Sequence, residues 1–207
     1  MNGTHLKDLF VLAADLELAN ALEGLLSRSR DLGIRDVEFD IERHVNRDSG
    51  CRSDAVEYLR PYHGRYRHAM VVFDHHGCGS SLPREEIQRN LEKQLARNGW
   101  ANGAKVIVIE PELEVWVWSR SSAVSRVLGW GDRYPALRQW LSDKQLWPSG
   151  DSKPTHPKKA MREAMRQGRV QRSARKFSEL AAAVELEGCK DPAFNELRKT
   201  LRSWFSP

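Results

Sequence analysis

Residues 69–73 (AMVVF) form a continuous apolar run that leads directly into Asp74. Two further runs of this kind cover residues 9–14 (LFVLAA) and 105–109 (KVIVI). Short runs with so little polar interruption are typical of strands buried on both faces, as the strands of parallel sheets are. Stretches with helical spacing separate the runs. The sequence therefore predicts an α/β domain with a mainly parallel, Rossmann-like sheet flanked by helices.

The other elements are predicted from weaker patterns. Residues 37–45 alternate between apolar and polar, which indicates a half-exposed strand, and this strand is expected at an edge of the sheet. Leucines recur at helical spacing from Leu18 onward, and Gly33 ends that element. Further helices are predicted at residues 54–59, 84–98, 136–145, 157–167, 173–186 and 192–205. A stretch rich in Pro, Gly and Ser near residue 147 divides the chain into an α/β domain (1–146) and a basic helical extension packed on it (147–207).

The composition excludes several classes of protein. No apolar run reaches the ~18 residues that a membrane span needs, and the polar N-terminus lacks a signal-peptide pattern. Cys51, Cys78 and Cys189 lie far apart without CxxC spacing, which argues against a disulfide scaffold and a structural zinc site. We therefore expect a cytoplasmic protein without a membrane partner.

Positive charge is concentrated in the C-terminal quarter of the chain. Residues 151–207 contain 13 Lys and Arg against 7 Asp and Glu, while the rest of the chain is nearly neutral. Arg162, Arg166 and Arg169 share one helical face, and a row of this kind can follow a phosphate backbone. The candidate nucleic-acid-binding residues are Lys158, Lys159, Arg162, Arg166, Arg169, Arg172 and Lys176. An ordinary exposed helix and a docking surface for an acidic partner protein remain equally open.

Acidic residues follow each of the three predicted buried strands. Ligands of open parallel sheets bind beyond the carboxyl ends of the strands, and grouped carboxylates repel each other unless a cation or a proton lies among them. The candidate metal ligands at these strand ends are Asp15, Glu17, Asp74, His76, Glu110 and Glu114. Hard oxygen ligands favour Mg²⁺ or Mn²⁺, and a histidine ligand shifts the preference toward Mn²⁺ or Zn²⁺.

Each of these residues also has a structural interpretation. Asp74 can cap the next helix, although the glycines that follow it indicate a loop passing close to another group. Asp15 fits an ordinary helix N-cap. His75 and His76 are adjacent, so at most one of them is expected to be a ligand. Glu110, Glu112 and Glu114 alternate, so one can point inward while the others are solvated.

The strand ends and the C-terminal segment together resemble a known family. The strand ending in Phe73-Asp74, the segment 111–118 (PELEVWVW), Lys153-Pro154 before a basic helix and the segment 191–194 (DPAF) are similar to Toprim-like proteins of bacterial antiphage loci. These include RloB-type proteins and a related uncharacterised group, and more distantly the OLD-family nucleases. The resemblance implies a Toprim-like domain, Mg²⁺ or Mn²⁺ as cofactor, and nuclease activity with Asp74, His76 and Glu114 as catalytic residues.

The sequence departs from the Toprim pattern at two positions. The resemblance implies a glutamate at Ala13 and an aspartate at His76, so that only Asp74 of the expected DxD pair is present. Asp15 and Glu17 lie near the missing glutamate but not at its position. Two hypotheses follow: a diverged metal-dependent nuclease, or a catalytically inactive Toprim-like subunit that binds nucleic acid or a partner protein from the same defence locus.

Overall fold

A sheet of four parallel strands forms the centre of the protein in a computed structural model, which describes residues 6–119 and 121–207. The strands are β1 (Lys7–Ala13), β2 (Phe39–Arg43), β3 (Tyr66–Asp74) and β4 (Ala104–Ile109). Their order is β2-β1-β3-β4, and all neighbouring strands are parallel. The predicted α/β class, the mainly parallel sheet and the edge position of the β2 segment are confirmed.

Helices flank this sheet along the whole described chain. They are α1 (Leu16–Leu26), α2 (Ser29–Leu32), α3 (Arg47–Ser53), α4 (Ala55–Leu59), α5 (Arg84–Leu95), α6 (Glu114–Val117), α7 (Ser122–Val127), α8 (Leu137–Asp143), α9 (Pro157–Gly168), α10 (Ala174–Ala183) and α11 (Pro192–Trp204). None of the helices in the described residues combines the length and the apolar character that a membrane crossing requires.

The two faces of the sheet are covered by different parts of the chain. Phe10 stacks on Tyr62, with 3.8 Å between ring centroids, in the segment just after α4. His68 lies opposite Leu9 in the register of β1 and β3, and it stacks on Trp204 at 4.2 Å. Because successive residues of a strand point to opposite faces, α4 and its extension cover one face and the end of α11 covers the other.

The C-terminal helices pack on the α/β core. A Cβ atom on Gly24 of α1 would lie 2.9 Å from the Ser178 carbonyl oxygen of α10, so the two helices touch along their backbones. α11 packs against β4. There, Lys105 Nζ lies 2.6 Å from a Glu196 oxygen of α11 and 2.8 Å from a Glu92 oxygen of α5. Residues 147–207 thus contribute to the same hydrophobic core as the sheet.

Several element boundaries differ from the expectations. The helix predicted at 84–98 ends at Leu95 and continues as a single wide π-type turn, Ala96–Trp100, in which Gly99 has a φ of +98°. α10 ends at Ala183 rather than at residue 186. α3 and α7 were not predicted, because the polar, glycine-containing sequence of α3 (RDSGCRS) and the brevity of α7 leave little helical periodicity.

The strand order identifies one position in the sheet where a ligand is expected. The chain leaves β1 toward β2 and then returns past β1 to β3, so the direction of strand addition reverses between β1 and β3. In open α/β sheets, ligands bind at such a reversal, beyond the carboxyl ends of the two strands. The segments that follow Ala13 and Asp74 occupy this place.

Candidate functional site

A small acidic pocket lies at this reversal. Its volume is about 10 Å³, close to the least that holds a single water molecule. The charged side chains that line it are Asp15, Glu17, Asp48, Asp74, Glu114, Lys158 and Arg172, together with apolar Ala14, Leu18 and Leu113. We call this set the acidic pocket.

Asp15 and Glu17 come from the start of α1. Asp15 is the N-cap of the helix, and its Oδ1 accepts a hydrogen bond of 3.0 Å from the Leu18 backbone N–H. Asp15 is therefore a helix N-cap, as its structural interpretation predicted, and it also lines the acidic pocket. Glu17 lies within the first turn, where a negative charge is favoured by the helix dipole.

Asp74, the last residue of β3, lines the acidic pocket. Its Oδ1 is buried and has no hydrogen-bond partner. Burial raises the pKa of the Asp74 carboxyl well above its ordinary value, and the negative charges of Asp48, Glu114 and Asp15 raise it further, whereas Lys158 acts in the opposite direction. Buried polar groups are nearly always paired, so this oxygen indicates that a proton or a cation belongs beside it.

Asp48, in the first turn of α3, fixes the end of β3. Its Oδ1 accepts a hydrogen bond of 2.8 Å from the Asp74 backbone N–H. Burial raises the pKa of Asp48, and the charge of Asp15 adds to that effect. A Cβ atom on Gly77 would lie 2.8 Å from Asp48 Oδ2. The expectation that the glycines after Asp74 let the loop pass close to another group is therefore confirmed at Gly77.

Glu114 is held by an arginine from the C-terminal part of the chain. It is the first residue of α6, and its side chain is only 1% exposed. Arg172, between α9 and α10, donates from Nη2 to Glu114 Oε1 at 2.6 Å and from Nε to Glu17 Oε1 at 2.7 Å. Its Nη2 also contacts the second oxygen of Glu17. We call this arrangement the Arg172 clamp.

The Arg172 clamp stabilises the carboxylates of Glu17 and Glu114. The buried charge of Glu114 would be unfavourable without it. Burial alone would lower the pKa of the guanidinium, but the hydrogen bonds to Glu17 and Glu114 raise it above its ordinary value. A buried carboxylate without a partner costs several kcal/mol. Arg172 also lies over the ring of Phe177, with 5.0 Å between the guanidinium carbon and the ring centroid.

Lys158 brings a second positive charge to the edge of the acidic pocket. It follows Pro157 in the first turn of α9, and its Nζ lies 3.4 Å from a Glu112 oxygen. Burial works to lower the pKa of Lys158, but Glu114, Glu112 and Asp74 raise it above its ordinary value. Five carboxylates thus line the acidic pocket against two cations, which leaves an excess of negative charge.

The negative charge of the acidic pocket suits a cation, but the positions of its carboxylates do not form a metal site. Carboxylate oxygens are the ligands that Mg²⁺ and Mn²⁺ prefer, and the buried Asp74 Oδ1 is available. Glu17 and Glu114 face the guanidinium of Arg172 instead. Within residues 6–119 and 121–207, no group of three or more His, Cys, Asp and Glu side chains is placed to hold a metal ion together.

The structure brings four of the six predicted metal ligands together, namely Asp15, Glu17, Asp74 and Glu114. The other two, His76 and Glu110, are exposed and do not line the acidic pocket. At His76 the chain has already turned, because its backbone N–H donates to the Pro111 carbonyl oxygen at 3.0 Å. The neighbouring His75 ring nitrogen Nε2 lies 2.9 Å from the Leu82 carbonyl oxygen.

The basic residues predicted to bind nucleic acid divide into three groups. Lys159, Arg162, Arg166 and Arg169 are exposed along α9 and at its C-cap, and we call them the α9 basic row. Arg166 pairs with Glu163, at 2.7 Å between Nη2 and Oε2. Lys158 and Arg172 line the acidic pocket, and Lys176 pairs with Glu179 on α10 at 2.6 Å.

Three charged residues of the acidic pocket, Asp48, Lys158 and Arg172, were not predicted to belong to it. Asp48 follows the end of β2 by five residues, but the half-exposed pattern of that strand gave no reason to expect a ligand at its end. Lys158 and Arg172 were assigned to a phosphate-binding row. No local pattern shows that Arg172 meets Glu17 across 155 positions of the chain.

No family model, curated protein or solved structure matches the chain.

Proposed function

We propose that this chain is a cytoplasmic, Toprim-like component of a bacterial antiphage defence system and that it acts as a diverged metal-dependent nuclease. The proposed cofactor is Mg²⁺ or Mn²⁺, bound in the acidic pocket, and the proposed substrate is nucleic acid. The observation that carries the proposal is Asp74, whose buried and unpartnered Oδ1 lies among four further carboxylates.

The charge balance of the acidic pocket supports a bound cation. Burial and the repulsion from neighbouring carboxylates both raise the pKa of the Asp74 carboxyl, and a divalent ion beside it would offset both effects. We propose Asp74 as the principal ligand, because Glu17 and Glu114 are engaged by Arg172. Asp48 and Asp15 would have to move toward the ion, since no three acidic side chains of the described residues are already placed to hold a metal together. A divalent cation in a nuclease lowers the pKa of a bound water and stabilises negative charge on a phosphate oxygen.

The position of α9 supports nucleic acid as the substrate. Its first turn carries Lys158 into the acidic pocket, while the α9 basic row continues along the exposed side of the same helix. A phosphate backbone that follows the α9 basic row is therefore led to the carboxylates. Affinity that arises in this way falls steeply as the salt concentration rises.

A catalytically inactive Toprim-like subunit is the second candidate, and the Arg172 clamp favours it. The guanidinium of Arg172 bridges Glu17 and Glu114. It is a permanent positive charge, and it neutralises carboxylates that a bound metal ion would otherwise neutralise. Ala13, at the end of β1, has no side chain that can bind a metal. In this case the chain acts by binding nucleic acid or a partner protein.

A cleavage assay tests the first candidate. Wild-type protein is incubated with supercoiled plasmid DNA and, separately, with single-stranded RNA, in Mg²⁺, in Mn²⁺ and in EDTA. We expect metal-dependent cleavage of one substrate that is lost in Asp74→Asn and retained in Asp132→Asn, an exposed control. Cleavage of neither substrate, or equal cleavage by Asp74→Asn, would contradict nuclease activity at this pocket.

The Arg172→Gln variant distinguishes the two candidates. If a cation shares the acidic pocket, removal of the guanidinium leaves Glu17 and Glu114 free to contact it, and Mn²⁺ affinity rises by about tenfold, which corresponds to ~1.4 kcal/mol. If Arg172 is the permanent counter-charge, the variant only loses stability, by about 3–5 kcal/mol for a broken buried ion pair. Thermal melts with increasing Mn²⁺ separate these results, and Arg175→Gln on the exposed side of α10 is the matched control.

A further inference from the structure

A second, larger cavity lies on the other side of α6 from the acidic pocket. Its volume is about 430 Å³, within the range of sites that hold small molecules. Segments from α1, α6 and α10 line it, and residues 184–190 form part of its wall. Its aromatic walls are Trp116, Trp118, Phe177 and Phe194.

Of these rings, half-buried Trp116 presents its surface to the cavity, whereas Trp118, Phe177 and Phe194 are at most 3% exposed and lie behind the lining. The indole N–H of Trp116 donates to Asp191 Oδ1 at 2.8 Å, and that of Trp118 donates to the Pro157 carbonyl oxygen at 3.0 Å. Both polar atoms are therefore satisfied within the protein, and the rings are held in place. Leu25, Leu180 and Ala181 extend this apolar lining. A ligand with a flat apolar body fits such walls, because aromatic rings favour stacked and edge-on contacts.

Lys153 adds a positive charge to the lining. Its Nζ donates to the Val115 carbonyl oxygen at 2.5 Å, and the side chain is part-buried. Among the described residues it forms no ion pair, and an ammonium group has three hydrogens to donate. Glu185, Glu187 and Lys190 also line the cavity, but they are exposed, and water screens their charges more than that of Lys153.

We propose that this cavity binds a small aromatic carboxylate, with the apolar body against Trp116 and the aliphatic lining and the carboxylate on Lys153. The charge complementarity with Lys153 selects an anion over a neutral molecule of the same shape. The site is separate from the acidic pocket, where a carboxylate would meet an excess of like charge. The proposal does not depend on nuclease activity.

The test compares two probes of nearly equal shape, naphthaleneacetate and its neutral amide, by isothermal titration calorimetry with the full chain. We expect saturable binding of naphthaleneacetate, at least fivefold tighter than the amide. Lys153→Met keeps the length of the side chain and should remove this preference while the amide still binds. Lys199→Met, exposed on α11, is the matched control and should retain it.

Cys189→Trp locates the site, because a large side chain at this half-buried wall position fills the cavity. We expect it to weaken both probes by tenfold or more, with the fold checked by circular dichroism. The proposal would be overturned if neither naphthaleneacetate nor its amide bound. Equal affinities of acid and amide in the wild type would overturn the assigned ligand class, and unchanged binding in both Lys153→Met and Cys189→Trp would overturn the location.

Discussion

Asp74 is the residue whose surroundings distinguish the acidic pocket from an ordinary group of surface acids. Its Oδ1 is buried without a partner, and its pKa is raised by burial and by the charges of Asp48, Glu114 and Asp15. A carboxyl group with a raised pKa in the folded state stabilises the fold while it is protonated. That contribution is lost as the pH rises from the ordinary value of 3.8 through the raised value.

Asp74→Asn should therefore stabilise the protein in the absence of divalent ions. The amide is uncharged at every pH, so the advantage over the wild type should be small at pH 5 and grow to about 1–3 kcal/mol at pH 8, the usual range for a buried polar group left unsatisfied. Chemical denaturation in EDTA at the two pH values measures the difference. A variant that is less stable than the wild type at pH 8 would contradict the account of this carboxyl, and Asp132→Asn should change nothing.

The residues of the acidic pocket were partly predictable from the sequence. Asp15, Glu17, Asp74 and Glu114 were found because they follow apolar strand patterns, and the ends of parallel strands meet at one edge of a sheet. His76 and Glu110 met the same criterion yet lie outside the acidic pocket, since the side-chain direction beyond a strand depends on the turn that follows. Arg172 was assigned elsewhere because its ion pairs are set by tertiary packing.

Among the elements, α9 has two functions in this account. Its apolar side, with Ala160, Met161 and Met165, is buried against the rest of the protein. Its exposed side carries the α9 basic row, and its first turn carries Lys158 to the acidic pocket. The helix itself was predicted nearly to its observed ends, because its apolar residues recur with clear helical periodicity.

Replacement of the α9 basic row by glutamine should remove binding to nucleic acid. We expect the wild type to bind a generic DNA duplex in 50 mM salt and to lose at least tenfold in affinity in 200 mM salt, since binding releases counterions from the phosphates. The variant with Lys159, Arg162, Arg166 and Arg169 all changed to Gln should bind at least tenfold more weakly at low salt. Fluorescence anisotropy measures both. Lys199→Gln is the control, and no binding by the wild type at low salt would remove nucleic acid from the account.

At the scale of the whole molecule, the sheet and the C-terminal helices form one structural unit around the acidic pocket. The strand ends supply Asp15 and Asp74, whereas the C-terminal part supplies Lys158 and Arg172. The same helices bury large apolar side chains, among them Phe177 of α10 and Phe194 of α11. The sequence located the Pro- and Gly-rich connection that precedes α9, but composition alone carries no information on packing across it.

A fragment of residues 1–146 should not fold cooperatively. Without residues 147–207 it exposes the apolar surfaces that α9, α10 and α11 cover, and Glu114 loses its only ion-pair partner within the described residues. We expect aggregation or a broad thermal transition by circular dichroism, whereas a chain of residues 1–205, which lacks only two exposed residues, should melt like the full protein. A sharp transition of the fragment 1–146 would show that the α/β part is stable alone.

Isothermal titration calorimetry of Mn²⁺ into the metal-free protein at pH 7.5 tests most directly whether the acidic pocket is a cation site. We expect one saturable site in the wild type and in Asp132→Asn, and its loss in Asp74→Asn. A wild-type protein that takes up no divalent cation, or an Asp74→Asn variant that binds Mn²⁺ as the wild type does, would contradict it.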